Sequence, residues 1–148
     1  MYEFRSRRQV EFADTDMAGI VHFSRFFVFM ESAEHAFLRA LGCSVHFEHQ
    51  GRTLGWPRIE AECRYRSPAR LGDELEIIAR VLRKGRRSIT WGFTVRTGAR
   101  LVAEGRIASI CCVLDPTRAK GALQPVAIPR FLADQIEETP PAAVEATA

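Results

Sequence analysis

One helical run in this 148-residue chain, residues 24–41, carries Phe26, Phe27, Phe29, Met30, Ala33, Phe37, Leu38 and Leu41 on more than one stripe of its surface. A helix that is apolar on more than one side must be enclosed, so the rest of the chain has to wrap around it. Ser24 is the expected N-cap of this helix and Gly42 its expected stop.

The remaining segments read as strands. Residues 4–12 form the first, with Val10 and Phe12 alternating against Gln9 and Glu11. A polar connection, residues 43–55, follows the helix. From Trp56 the period is two: Ile59, Ala61, Cys63 and Tyr65 alternate with Glu60, Glu62, Arg64 and Arg66, which predicts a strand with one wet face. Turn residues at Ser67-Pro68 and Leu71-Gly72-Asp73 precede a strand over 74–82, and a further strand carries Ile89, Trp91, Phe93 and Val95. Thr97-Gly98-Ala99 turns the chain into its longest strand, 101–114, which Asp115-Pro116-Thr117 ends. A short helix fits 128–132. Residues 137–148, rich in Pro, Ala and Glu, are expected to form a disordered tail beyond one domain spanning 1–136.

This order predicts an α+β fold, a five-stranded antiparallel sheet curled around one long helix. One helix cannot cover such a sheet and protect its edges, so association through an edge strand or an open face is expected. The four cysteines lack C-x-x-C spacing and read as buried thiols, with neither disulfide nor metal. No run approaches the roughly 18 apolar residues of a membrane span. The first eight residues hold an acid and three arginines where a signal peptide would be apolar, which predicts cytoplasmic residence. The formal charge of +3 is too small to argue for nucleic acid, and the basic run Arg83-Lys84-Gly85-Arg86-Arg87 lacks interleaved aromatics.

Chemistry concentrates in Asp14-Thr15-Asp16-Met17-Ala18-Gly19-Ile20-Val21-His22-Phe23, immediately before the long helix. A helix entrance offers unpaired N–H groups and partial positive charge to a developing oxyanion, and a nearby carboxylate can drive attack on an acyl carbon. A bland reading of Asp16, as a loop acid accepting backbone N–H bonds, competes with this.

This signature, with Phe26-Phe27-Val28-Phe29-Met30-Glu31 and Tyr65-Arg66-Ser67-Pro68-Ala69-Arg70-Leu71-Gly72-Asp73-Glu74-Leu75, resembles the hot-dog fold acyl-CoA thioesterases of the 4-hydroxybenzoyl-CoA thioesterase type. The resemblance covers residues 4–114. It implies that Asp16 is the catalytic carboxylate, as general base or as nucleophile, and that the N–H of Phe23, with that of His22 as a second candidate, forms the oxyanion hole. His22 is also a secondary candidate through its ring. The acyl group would lie beside the long helix, with Gly19, Val21 and Glu31 at the substrate, and Arg86, Arg87 and Ser88 would meet the phosphates of coenzyme A. Coenzyme A is then part of the substrate and no cofactor is needed. The resemblance further implies active sites at a dimer interface, in a homodimer at minimum and a homotetramer as the common assembly. Asp14 reads as structural.

Two other readings share the fold. One is an acyl-CoA-binding protein without turnover. The other is a hydratase or dehydratase, for which Glu31 and His35, four apart on the helix, are the available acid and His pair.

Overall fold

A computed structural model describes residues 1–115, 117, 123–141 and 143. Its main sheet contains β1 (Glu3–Gln9), β4 (Arg58–Tyr65), β5 (Glu74–Lys84), β6 (Ser88–Thr97) and β7 (Arg100–Ile110), in the order β1-β5-β6-β7-β4 with every pairing antiparallel. The sheet curls around α1 (Arg25–Ala40). Phe29, Met30, Ala33, Phe37 and Leu38 of the helix are buried against Leu75, Val81, Trp91, Phe93 and Ile107 of the sheet, and the Phe37 and Trp91 rings meet edge to face at 4.9 Å. The expected hot-dog architecture is what forms.

Gly105 of β7 faces the helix, and an added Cβ there would overlap the sulfur of Met30. A side chain on β7 at this point would require the end of the Met30 side chain to move aside. Gly42 follows the helix with φ 74°, the stop expected there.

Several local expectations give way to tertiary structure. The first strand ends at Gln9, and Phe12–Asp14 forms a 3-10 turn because the Asp14 carboxylate accepts the Glu11 N–H at 2.9 Å. Ser24 precedes the helix without capping it. Its backbone is already helical, at φ −70° and ψ −23°, and its hydroxyl meets His22 Nδ1 at 2.7 Å, while a tight turn from Arg25 N–H to His22 C=O opens the helix.

The connection after the helix is a hairpin, β2 (His46–His49) and β3 (Arg52–Gly55). It turns through Gln50 and Gly51, both with positive φ, a two-residue turn that Gln-Gly signals less clearly than Asn-Gly. The long last strand breaks at Cys111, whose N–H and C=O bond Arg87 and Val126. Beyond the break, β8 (Cys112–Leu114) joins β3 and β9 (Leu123–Pro125) in a second, four-stranded sheet. The final helix is α2 (Arg130–Ala133).

Glu137 and Thr139, placed in the expected tail, donate backbone hydrogen bonds to Met1 O and Val81 O. Pro116 of the expected terminating turn, and residues 142 and 144–148 of the tail, lie outside the described residues.

The strand expected to have one wet face has two. Ile59 is 63% exposed and Tyr65 48%, because the helix covers little of β4 and, among the described residues, no neighbour follows it in the sheet. Among the described residues no helix is long and apolar enough to cross a membrane.

Candidate active site

Asp14 organises the loop that leads into α1. Fully buried, it is held by Arg25 Nη2 at 2.8 Å and Nε at 2.9 Å, by Arg8 Nη2 at 3.4 Å and by the Glu11 amide. Burial pushes its pKa up, but the Glu11 amide, the Arg25 hydrogen bond and the charges of Arg8 and Arg25 together hold it below the usual carboxylate value. Its carbonyl oxygen accepts the N–H of His22 at 2.8 Å.

Two residues on, Asp16 opens a tight reversal. Its N–H donates to Ile20 O and its C=O accepts the Gly19 N–H, both at 3.0 Å, while Thr15 and Val21 pair across. Gly19 takes φ 75° at the turn, a conformation open to glycine at little cost. Asp16 Oδ1 also accepts the Ala18 N–H at 2.8 Å, so the bland role and a place at the cleft coexist in one side chain.

That cleft, about 370 Å³, is lined by Asp16, Ile20, Val21, Phe23, Phe26, Tyr65, Ser67, Pro68 and Ala69. It contains the acid, the helix entrance and the Tyr-Arg-Ser-Pro-Ala stretch that ends β4. The Phe23 N–H has no hydrogen-bond partner among the described residues, and the Phe23 carbonyl accepts the Tyr65 hydroxyl at 3.1 Å. The Tyr65 ring stands edge-on to Phe26 at 5.5 Å. An acid and an unused amide on one apolar wall can deliver a nucleophile to an acyl carbon and stabilise its oxygen.

Of the residues expected at the site, Asp16, Val21 and Phe23 line this cleft and Gly19 shapes its loop. His22 does not provide the second amide, because its N–H is already bonded to Asp14. Its ring turns toward Ser24, whose N–H and hydroxyl both approach Nδ1. Tyr65 and Ser67 are the residues that site reasoning missed. The Tyr-Arg-Ser-Pro motif was visible in the sequence, but strand alternation alone gave no reason to bring its tyrosine to the Asp16 cleft.

Glu31 lines a different cleft, about 270 Å³, with Phe27, Val28, Arg58, Ala61 and Ile107. Arg58 Nη2 lies 3.2 Å from Glu31 and 2.7 Å from Glu34 Oε2, and Nη1 donates to Glu34 Oε1 at 2.9 Å. His35 stands 3.8 Å from Glu31. Glu34 is fully buried, and desolvation outweighs its arginine partner to raise its pKa to about 7.

Arg86 and Arg87 have exposed side chains at the turn between β5 and β6. The Asp16 loop lies at the other end of β5, where Val10 bonds Asp73 and Gly72, and Val21 bonds Ala69. The eleven residues of β5 separate these features by roughly 33 Å within one chain. Ser88 sits at the same distant turn, its carbonyl accepting the Gly85 N–H.

Residues 18–107 match the family described as the thioesterase superfamily. A 1,4-dihydroxy-2-naphthoyl-CoA hydrolase of Synechococcus elongatus is 28% identical over 75% of this chain and 82% of its own length. Among solved structures, a 1,4-dihydroxy-2-naphthoyl-CoA thioesterase from Synechocystis superimposes with a TM-score of 0.73 over 87% of this chain and 91% of that one, at 23% identity, a likeness of fold. A hypothetical protein from Thermus thermophilus superimposes with a TM-score of 0.72 over 89% and 96% of the two chains, at 29% identity.

Proposed function

The chain belongs to the thioesterase superfamily, and we propose that it hydrolyses a small-molecule acyl-CoA to a free acid and coenzyme A in the cytoplasm, with Asp16 as its catalytic carboxylate. What supports this reading is that Asp16 and Phe23, whose N–H is unpaired among the described residues, both line one apolar cleft. Thiolate is a good leaving group, so the reaction asks for little beyond an activated attack and a stabilised oxyanion. Asp16 supplies the first, as general base on water or as nucleophile, and the Phe23 N–H supplies the second. This chemistry calls for no cofactor.

Substrate recognition extends over two chains in this reading. Tyr65 of β4 lies at the Asp16 cleft, whereas Arg58, at the other end of the strand, shares an end of the sheet with the β5–β6 turn. Antiparallel pairing of two β4 edges brings the partner's Arg86, Arg87 and Ser88 to the Asp16 end, some three or four strand spacings of about 4.8 Å away. The arginines there meet the phosphates of coenzyme A through forked donors. Glu31, from the cleft beside β4, contacts the acyl group delivered by the partner's site. The assembly is a dimer at minimum, with a homotetramer as the pairing of two such dimers.

The test is release of free thiol from a panel of aliphatic and aryl acyl-CoA substrates by the wild-type protein. Turnover of at least one supports the reading. Tight binding across the panel without release overturns it in favour of an acyl-CoA-binding protein.

A further inference from the structure

We infer that Lys84 is a positioning residue for coenzyme A: it pins the β5–β6 turn to the C-terminal segment, residues 126–139, and so presents Arg86 and Arg87 to the phosphates. The inference rests on the phosphate contact proposed above and adds to it what fixes the arginines in place.

The cations of the turn divide by burial and by partner. Arg83, Arg86 and Arg87 are exposed, and their side chains have no hydrogen-bond partner among the described residues. Lys84 is half-buried and is spent on the chain itself. Its Nζ donates to Ala133 O at 2.9 Å and to Ile136 O at 2.7 Å, two carbonyls at the end of α2 and just beyond it. Its backbone N–H donates to Glu138 Oε1 at 2.7 Å. Two of the three ammonium donors are thus committed within the protein, which sets Lys84 apart from the arginines as an anchor.

The backbone of the two arginines is tied to the same segment. Ile128 N–H donates to Arg86 O at 3.0 Å. Cys111 N–H donates to Arg87 O at 2.7 Å, and Cys111 O in turn accepts the Val126 N–H at 2.9 Å. Ile128, Leu132 and Ile136, spaced four apart, are buried in the core and seat the segment. Thr139 closes it onto β5 by donating its N–H and its hydroxyl to Val81 O, both at 2.8 Å.

The turn has little of its own to hold it. Within residues 84–88 the backbone makes one bond, from Gly85 N–H to Ser88 O at 2.8 Å. Arginines on a loose turn would have to be ordered when a phosphate arrives, at a cost in affinity. A turn held beforehand by the C-terminal segment avoids that cost, and Lys84 is the side chain that joins the two.

The experiment compares wild type with Lys84→Met, which keeps the stem and deletes the ammonium, and with the double variant Arg86→Ala/Arg87→Ala. Trypsin cuts after arginine, so the turn carries its own reporter. Lys84→Met should be cut after Arg83, Arg86 or Arg87 several-fold faster than wild type, with unchanged circular dichroism. Its KM for acyl-CoA and its Kd for coenzyme A itself should rise several-fold, while kcat, and kcat/KM for a truncated thioester without the nucleotide, stay at wild-type values. Glu138→Ala, at an exposed residue bonded to the Lys84 amide, should move the same readouts less, and it carries the test alone if Lys84→Met fails to fold. Wild-type cleavage in the variants, a loosened turn with unchanged KM and Kd, or equal loss on both thioesters overturns the inference. Binding of coenzyme A needs no turnover, so absence of thiol release from wild type sinks only the hydrolase reading. A wild-type Kd in the double arginine variant removes the phosphate contact and this inference with it, whereas weak binding there beside normal binding by Lys84→Met sinks the inference alone.

Discussion

The N–H of His22 donates to the carbonyl oxygen of Asp14 at 2.8 Å, whereas the next amide, that of Phe23, has no hydrogen-bond partner among the described residues. Asp14 is itself locked by two arginines and the Glu11 amide, so the peptide carrying the Phe23 N–H is held from below before any ligand arrives. A donor fixed in advance needs no reorganisation when charge develops on the oxygen, and one such donor is worth about 2.7 to 4 kcal/mol of barrier.

Asp16→Asn removes the base or nucleophile and keeps the side chain's shape and its oxygen for the Ala18 N–H. Turnover of acyl-CoA should fall at least about a hundredfold with little change in melting temperature. Steady-state thiol release together with a thermal melt checks this, and wild-type turnover in the variant would remove Asp16 from the mechanism.

Tyr65→Phe deletes the hydroxyl that steadies the Phe23 carbonyl and keeps the ring against Phe26. One neutral hydrogen bond is worth about 0.5 to 1.5 kcal/mol, so kcat should drop by up to about tenfold while the fold persists. A loss as large as that of Asp16→Asn would mean that the hydroxyl touches the reacting atoms rather than positioning the loop.

Glu34 gives the protein a pH dependence of its own. Its folded pKa, about 7, lies above the unfolded value of 4.5, so between these values the native state holds a proton that the unfolded chain has released. Stability from this group is therefore present below pH 4.5 and declines as pH rises through 7. Glu34→Gln, which mimics the protonated acid, should gain in melting temperature relative to wild type between pH 5 and pH 8. A constant difference across that range would show that the Arg58 pair keeps Glu34 ionised throughout.

Replacing both Arg86 and Arg87 by Ala should raise KM for acyl-CoA several-fold or more, since phosphate contacts are lost, and should spare a truncated thioester without the nucleotide. Paired kinetics on the two substrates decide it. Equal loss on both would assign these arginines to holding the β5–β6 turn.

The enclosed helix and the alternating strands that wrap it were legible because burial imposes periods of 3.6 and 2 on the sequence itself. That Asp16, the Gly19 turn and the helix entrance lie together was legible as well, since they are contiguous within ten residues. The second sheet was not. Gln50-Gly51 is a weak hairpin signal, and β3 becomes a strand by pairing with β8, some sixty residues away.

The spent amide of His22, the placing of Tyr65 and the burial of Glu34 under Arg58 likewise depend on partners distant in sequence or on a local bond that composition does not reveal. The sequence alone determined the layers, the acid and the helix start, because those follow from local patterns of burial and turn chemistry. Tertiary structure decided which amide is free, which tyrosine joins the acid at the cleft and which strand edge is left open, because each is settled by what long-range packing has already occupied.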